Sequence, residues 1–353
     1  MKQKKVYLTL QNGQSFQGWR FGADGDATGE LVFSTGMVGY MENLTDPANY
    51  GQIVVQTFPL IGNYGVIASE LESEKTHVAA YVVREYCEYP SNFRTEETLD
   101  SYLKRNGVVG IYGVDTRELA SIIRDTGAIQ AKISSTPASV EEFSSYEVKD
   151  AVKAVSIKEV SVYNEGAEKS VAFVDYGAKE SAVQFWVNQG LKVVRVPSSY
   201  SASEILALNT DGIVLSEGPG NPAENTELIA TIKELIGKKP MFAVGLGMQM
   251  TALAFGAEVA KMKHGHRGAN QPVKYLGTGR VYVSSQNHGY EVVKDSVKTG
   301  EIRFINVNDG SIEGIEYASE GIVSVQFSPE SCSAALEPNF LAQSFIAKLS
   351  EVR

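Results

Sequence analysis

The segment Phe242-Ala243-Val244-Gly245-Leu246-Gly247-Met248-Gln249 has the layout of a nucleophile elbow: an apolar strand, a sharp turn, then a helix. In such a turn the central side chain is pushed toward substrate at a helix N-terminus, where the dipole stabilises a thiolate or alkoxide. The central residue is Gly245, which has no side chain and can attack nothing. Alone, the segment reads as a plain strand-to-helix turn. A second loop, Leu215-Ser216-Glu217-Gly218-Pro219-Gly220-Asn221-Pro222, sets Gly218 and Gly220 on either side of a proline. Glycines there permit close backbone approach to a ligand, and N–H groups of such a loop can hold an oxyanion; an ordinary tight turn is an equal reading. The four histidines, His77, His264, His266 and His288, make no helical metal pair, and no metal site is expected. His264-Gly265-His266 has chelating spacing but reads more simply as a glycine-rich loop, and His288 as a structural loop histidine.

The elements that must position these loops change rhythm along the chain. Val6 to Leu10 alternates, Asn12-Gly13 is a hairpin signal, and Ser15-Phe16-Gln17-Gly18 resumes a strand. Gly51 to Val55 reads as another strand, and Thr98 to Arg105 and Thr116 to Thr126 read as helices, the second capped by Asp115. The polar stretch Glu142 to Ser170 is irregular, so a domain boundary falls there, near residue 165. It gives an N-terminal domain over 1–150, a linker over 151–168 and a second domain over 169–353. In the second domain apolar strands (Val171 to Tyr176, Lys192 to Val196, Gly212 to Ser216, Pro240 to Val244) alternate with helices (Lys179 to Gln189, Ser203 to Leu208, Glu224 to Ile236). That alternation predicts a parallel α/β sheet, whose ligands sit at the carboxyl ends of its strands. Gly279 to Ser285 and Ile322 to Phe327 predict further β structure around it.

Composition narrows the function classes. A length of 353 residues suits two domains, and 43% hydrophobic with 21% charged residues is a globular composition. The net charge of −10 implies no basic surface for nucleic acid. No apolar stretch is long enough to span a bilayer, and no membrane association is expected. Met1-Lys2-Gln3-Lys4-Lys5 is followed by strand-like alternation rather than a signal-peptide core. The two cysteines, Cys87 and Cys332, exclude a disulfide framework and suit a reducing cytoplasm.

Ordered motifs run the length of the chain. In the first half they are Gly29 to Tyr40, Leu44-Thr45-Asp46-Pro47, Pro59 to Gly65, Pro90 to Arg94 and Gly110 to Arg117. In the second they are Asp175-Tyr176-Gly177-Ala178-Lys179, Glu217 to Pro222, the elbow, His264 to Asn270, Gln286-Asn287-His288-Gly289-Tyr290 and Pro329-Glu330. With these motifs the chain resembles the small, glutamine-hydrolysing subunit of carbamoyl-phosphate synthase. The resemblance implies an α/β protein: an N-terminal mixed β/α domain, then a class I glutamine amidotransferase domain with a central, mostly parallel sheet.

The family's active pattern has a cysteine at the elbow's centre and a histidine two residues before the final glutamate. The thiolate attacks the glutamine amide, the histidine keeps it deprotonated and protonates departing ammonia, and the glutamate orients the histidine. Here the nucleophile position is Gly245 and the base position Ser328, so only Glu330 of the triad is kept. Met248 replaces the elbow histidine, and Gly36 stands where the family has a glutamine-contacting serine. By resemblance, Gly218, Gly220, Leu246, Gln249, Asn287, Gly289 and Tyr290 line the glutamine pocket, so L-glutamine is a candidate ligand. The implied partner is the large synthetase subunit, which carries ATP, Mg and the phosphoryl-transfer steps; no cofactor is expected in this chain. The product would be carbamoyl phosphate, for arginine or pyrimidine synthesis in the cytoplasm. A different class is a non-catalytic glutamine-sensing or regulatory paralogue. A third reading, a divergent hydrolase using Cys332 or an unidentified group, ranks last; for Cys332, nucleophile geometry tolerates little displacement.

Overall fold

The computed structural model describes residues 4–143, 146, 148–331 and 340–349. The chain divides into two compact units, Met1–Lys149 and Asp150–Arg353.

The first unit runs β1 (Lys5–Leu10), β2 (Ser15–Gly22), β3 (Ala27–Ser34), α1 (Tyr40–Thr45), β4 (Gln52–Gln56), β5 (Leu60–Ile61), β6 (Ala80–Val83), β7 (Glu85–Tyr86), α2 (Leu99–Arg105), β8 (Val109–Tyr112), α3 (Thr116–Thr126) and β9 (Ile129–Ser134). Seven of the strands close a barrel in the order β1-β2-β8-β6-β4-β3-β9, with β5 and β7 paired apart from it. Strands β3, β4, β6 and β8 are mutually parallel. Their residues alternate between two cores. Ile53, Val55, Ala80 and Val82 pack with Leu119 and Ile123 of α3, whereas Val54, Tyr81 and Val83 pack with Leu99, Tyr102 and Leu103 of α2. Burial on both faces is why these segments read as continuous apolar runs. Helix α3 starts where expected, with the Asp115 carboxylate accepting from the N–H groups of Arg117 and Glu118.

The second unit runs α4 (Ala151–Val155), β10 (Ser161–Tyr163), β11 (Ser170–Asp175), α5 (Glu180–Asn188), β12 (Lys192–Pro197), α6 (Ala202–Ala207), β13 (Gly212–Leu215), α7 (Thr226–Leu235), β14 (Met241–Val244), α8 (Leu246–Ala254), β15 (Val259–Tyr275), β16 (Val281–Val292), β17 (Glu301–Asn306), β18 (Ile312–Tyr317), β19 (Ile322–Val325) and α9 (Phe340–Lys348). One sheet has the order β10-β12-β11-β13-β14-β19-β18-β17-β15-β16. Its centre, β12-β11-β13-β14-β19, is parallel throughout. Residues from α6, α7 and α8 cover one face, including Ile205, Ile232 and Met248. Val183 and Trp186 of α5 and Phe345 of α9 cover the other. The later β structure is an antiparallel extension, β18-β17-β15-β16, joined to the core through β19.

Two expectations need correcting. The units divide at 149/150 rather than near 165, and the segment expected to be a linker, 151–168, belongs to the second unit. It holds α4 and β10, and β10 pairs antiparallel with β12. An edge strand has one neighbour and a solvated side, so its composition imitates a linker. His264-Gly265-His266 and His288 lie in β15 and β16, not in loops. Among the described residues, no helix is long and apolar enough to cross a membrane.

Candidate active site

The elbow forms where the sequence places it. Gly245 joins β14 to α8 at φ 54° and ψ −113°, a conformation that strains any residue with a Cβ. Its N–H donates to Val325 O (2.9 Å) on the neighbouring strand β19, and its carbonyl accepts from Gln249 N (3.1 Å). The turn is therefore fixed from both sides. Leu246 opens α8, so its N–H is one of the first-turn donors that lack an intrahelical acceptor.

The loop after β13 lies against this turn. Gly247 N donates to Ser216 O at 3.1 Å. A Cβ on Gly218 would stand 2.3 Å from Tyr176 O, so this loop has its close approach only with glycine there. Ser216 Oγ accepts from Tyr176 N (2.8 Å) and donates to Glu217 O (2.7 Å), tying the loops after β11 and β13 together. The side chain of Glu217 crosses the elbow: a Cβ built on Gly245 would lie 3.0 Å from Glu217 Cβ.

The third strand end carries Ser328, expected at the family's base position. Ser328 follows β19 and bridges to Ser285, with its N–H donating to Ser285 O at 3.0 Å. A cation, not a base, stands beside Ser328. Lys179 Nζ donates to Ser328 Oγ (3.1 Å) and to Glu330 Oε1 (2.6 Å). Both members of that ion pair are largely buried, at 14% and 8% side-chain exposure. A lysine held against a carboxylate is an ammonium, a donor with no lone pair, so it cannot take a proton from Ser328. Lys179 is itself placed by the turn after β11. The fully buried Asp175 accepts from Gly177 N (2.8 Å) and pairs with Arg195, which reaches Ala178 O at 3.2 Å. The other Glu330 oxygen, Oε2, is buried without a hydrogen-bond partner among the described residues. It is free on the carboxylate that would orient an imidazole.

The pocket positions divide. Gln249 reaches from α8 to Tyr290 O (2.7 Å) on β16 and to Gln326 Oε1 (3.0 Å). Asn287 and Gly289 are on β16, with Asn287 opposite Arg267 of β15. Gly220 has φ 89°, in the loop capped by Asn221. Gly36 belongs to the first unit, where its carbonyl accepts from Gln56 Nε2 at 2.8 Å. Cys332 lies outside the described residues. Between Asn287 and Gly289, His288 is held neutral: burial, with the neighbouring His266, lowers its pKa to about 3. Sequence reasoning missed Lys179 and Glu217 as site residues, although both stand in the motifs that carry the resemblance. A lone lysine after Gly-Ala gives no periodic or spacing signal; only the fold brings it to Glu330.

A strand–turn–helix elbow, a glycine loop and a strand-end acid on one parallel sheet define a class I glutamine amidotransferase framework. The family model for "Glutamine amidotransferase class-I" matches residues 172–348. The model for "Carbamoyl-phosphate synthase small chain, CPSase domain" matches residues 8–133. The chain belongs to the carbamoyl-phosphate synthase small-chain family. It is 42% identical over 347 residues to the carbamoyl phosphate synthase small chain of Clostridium perfringens, covering 97% of this chain and 99% of that one. It is also 42% identical over 360 residues to that of Oceanobacillus iheyensis, covering 99% and 98%. The small chain of Syntrophotalea carbinolica is again 42% identical, over 364 residues, covering 97% and 96%.

Proposed function

We propose that this chain serves as a small subunit that pairs with a large synthetase subunit but does not hydrolyse glutamine. One observation carries the reading: an elbow with glycine at its centre faces a strand end whose base position is a serine bonded to an ammonium. Neither a nucleophile nor a proton acceptor stands at its post. Loss of either group from a catalytic triad leaves roughly 10³–10⁴-fold over water, from binding and oxyanion stabilisation alone. Both are replaced here.

The role that remains is structural. The small subunit completes the complex, and the large subunit, carrying ATP and Mg, makes carbamoyl phosphate from bicarbonate and free ammonia. L-glutamine is a candidate ligand of the retained pocket, without being consumed. The test mixes the purified chain with a large synthetase subunit and follows carbamoyl phosphate formation from glutamine and, separately, from ammonia. A stable complex active with ammonia alone supports the proposal. Glutamine-driven synthesis refutes it. Failure to form any complex refutes the pairing and favours a regulatory paralogue instead.

A further inference from the structure

The antiparallel end of the second unit's sheet gathers a cluster, with His288 half-buried, that the amidotransferase reading does not use. His266 of β15, His288 of β16 and Glu313 of β18 each turn one ligand-type atom toward the others, all within 4.8 Å of one another. Glu313 is fully buried, and His266 is 6% exposed.

The hydrogen bonds at its edge do not balance. Tyr290 O, 2.8 Å from His288 Nδ1, can only accept, so the proton of a neutral ring sits on Nδ1. That leaves Nε2 with its lone pair, and it faces Gln286 Oε1 at 3.0 Å. The amide is oriented by its other end: Gln286 Nε2 donates to Glu313 Oε2 (3.0 Å) and to Ser284 Oγ (3.1 Å). Two acceptors therefore stand at bonding distance with no proton between them. On the other side, His266 Nδ1 lies 3.3 Å from Glu313 Oε1.

We infer that His266 Nδ1, His288 Nε2, Glu313 and Gln286 Oε1 form a binding site for a divalent transition-metal ion of the zinc class. A cation between His288 Nε2 and Gln286 Oε1 turns the facing lone pairs into ligands. Zinc bonds of about 2.0–2.1 Å in a tetrahedron set neighbouring ligand atoms about 3.3 Å apart, close to both contacts above. Two imidazoles and two oxygens suit zinc better than magnesium or calcium, which take oxygen donors. The outer bonds are those that metal-bound histidines make. His266 Nε2 lies 2.8 Å from Asp309 Oδ2, and His288 Nδ1 donates to a backbone carbonyl. The site would pin β15, β16 and β18 together beside Asn287, Gly289 and Tyr290. It would thus hold a pocket wall in shape and play no part in bond breaking.

The test uses the full, untagged chain, stripped with chelator and titrated with zinc chloride by calorimetry, with metal content read by mass spectrometry. The site predicts one equivalent of zinc and a raised melting temperature. His288→Asn and Glu313→Gln should each abolish uptake, Asp309→Asn should weaken it about 10–100-fold, and His264→Ala should leave it unchanged. No uptake by the parent chain overturns the inference, as does uptake that survives His288→Asn and Glu313→Gln or depends on His264. Should those variants fail to fold, cobalt loading of the parent chain decides: intense visible bands of a tetrahedral centre support the site, and a weak octahedral spectrum overturns it.

Discussion

A side chain added at Gly245 would bring its Cβ to 3.0 Å from the Cβ of Glu217. Any other residue at the elbow is thus strained twice, once by backbone conformation and once by a tight contact with Glu217. Holding a non-glycine residue at such angles costs roughly 1–3 kcal/mol. Gly245→Cys should therefore lower the melting temperature, by about 2–4 °C for each kcal/mol in a unit of this size. Gly245→Ala should do the same, which separates strain from sulfur chemistry. Scanning calorimetry checks both, and an unchanged or raised midpoint would contradict the strain argument.

The retained Glu330 leads to a second prediction. Its Oε2 is buried and unpartnered among the described residues, on the acid that would orient an imidazole at position 328. Gly245→Cys alone lacks a base and Ser328→His alone lacks a nucleophile, so neither should raise ammonia release from glutamine above the parent chain. The double variant supplies both groups and should release ammonia at a rate above the parent and both single variants. It should stay slow, because Lys179 already engages Glu330 Oε1 at 2.6 Å and Glu217 crowds the elbow. A single variant as active as the double would mean that another group performs the chemistry.

Much of this site was legible before any coordinates. The elbow and the Gly218–Gly220 loop are local in sequence, and alternating apolar strands and helices place both at the carboxyl ends of a parallel sheet. The strand before Glu330 was expected only around that sheet and instead joins its parallel centre as β19, since a short apolar run does not say which neighbour it pairs with. The first unit's closure into a barrel was not legible, because short strands carry no record of which partner they pair with. Nor was the Lys179–Glu330 pair, whose members are 151 positions apart. The same holds for Glu313, which reads as an ordinary alternating polar residue and is instead fully buried against His266. Long-range polar pairings arise from tertiary packing, and a single sequence gives no periodicity from which to find them.

His77 predicts an acid-sensitive step in the first unit. Its Nε2 lies 3.0 Å from Ser73 Oγ, and burial lowers its pKa below the usual 6.5. A base whose folded-state pKa is depressed contributes stability that is complete above about pH 6.5 and is lost as pH falls, because the unfolded chain then binds the proton more readily. The parent chain should therefore lose more stability between about pH 7.5 and 5.5 than His77→Asn does. Urea denaturation at both pH values checks this, and an identical loss in the two proteins would remove His77 from the account.

Lys179 offers the sharpest test of the rearranged site. It and Glu330 are largely buried, so neither charge is well solvated without the other. Lys179→Met removes the cation and leaves the largely buried carboxylate without its ion-pair partner. Breaking a buried pair from one side typically costs about 3–5 kcal/mol, most of it the penalty of the stranded charge. Glu330→Gln should cost less than Lys179→Met, since an amide can still accept from the ammonium. Lys179→Met with Glu330→Gln strands no carboxylate and should be more stable than Lys179→Met alone, because two members of one network are not additive. Urea denaturation of the four proteins closes the cycle. Additive losses would show that the pair is decorative, and that Ser328 rather than the ion pair governs how this strand end is held.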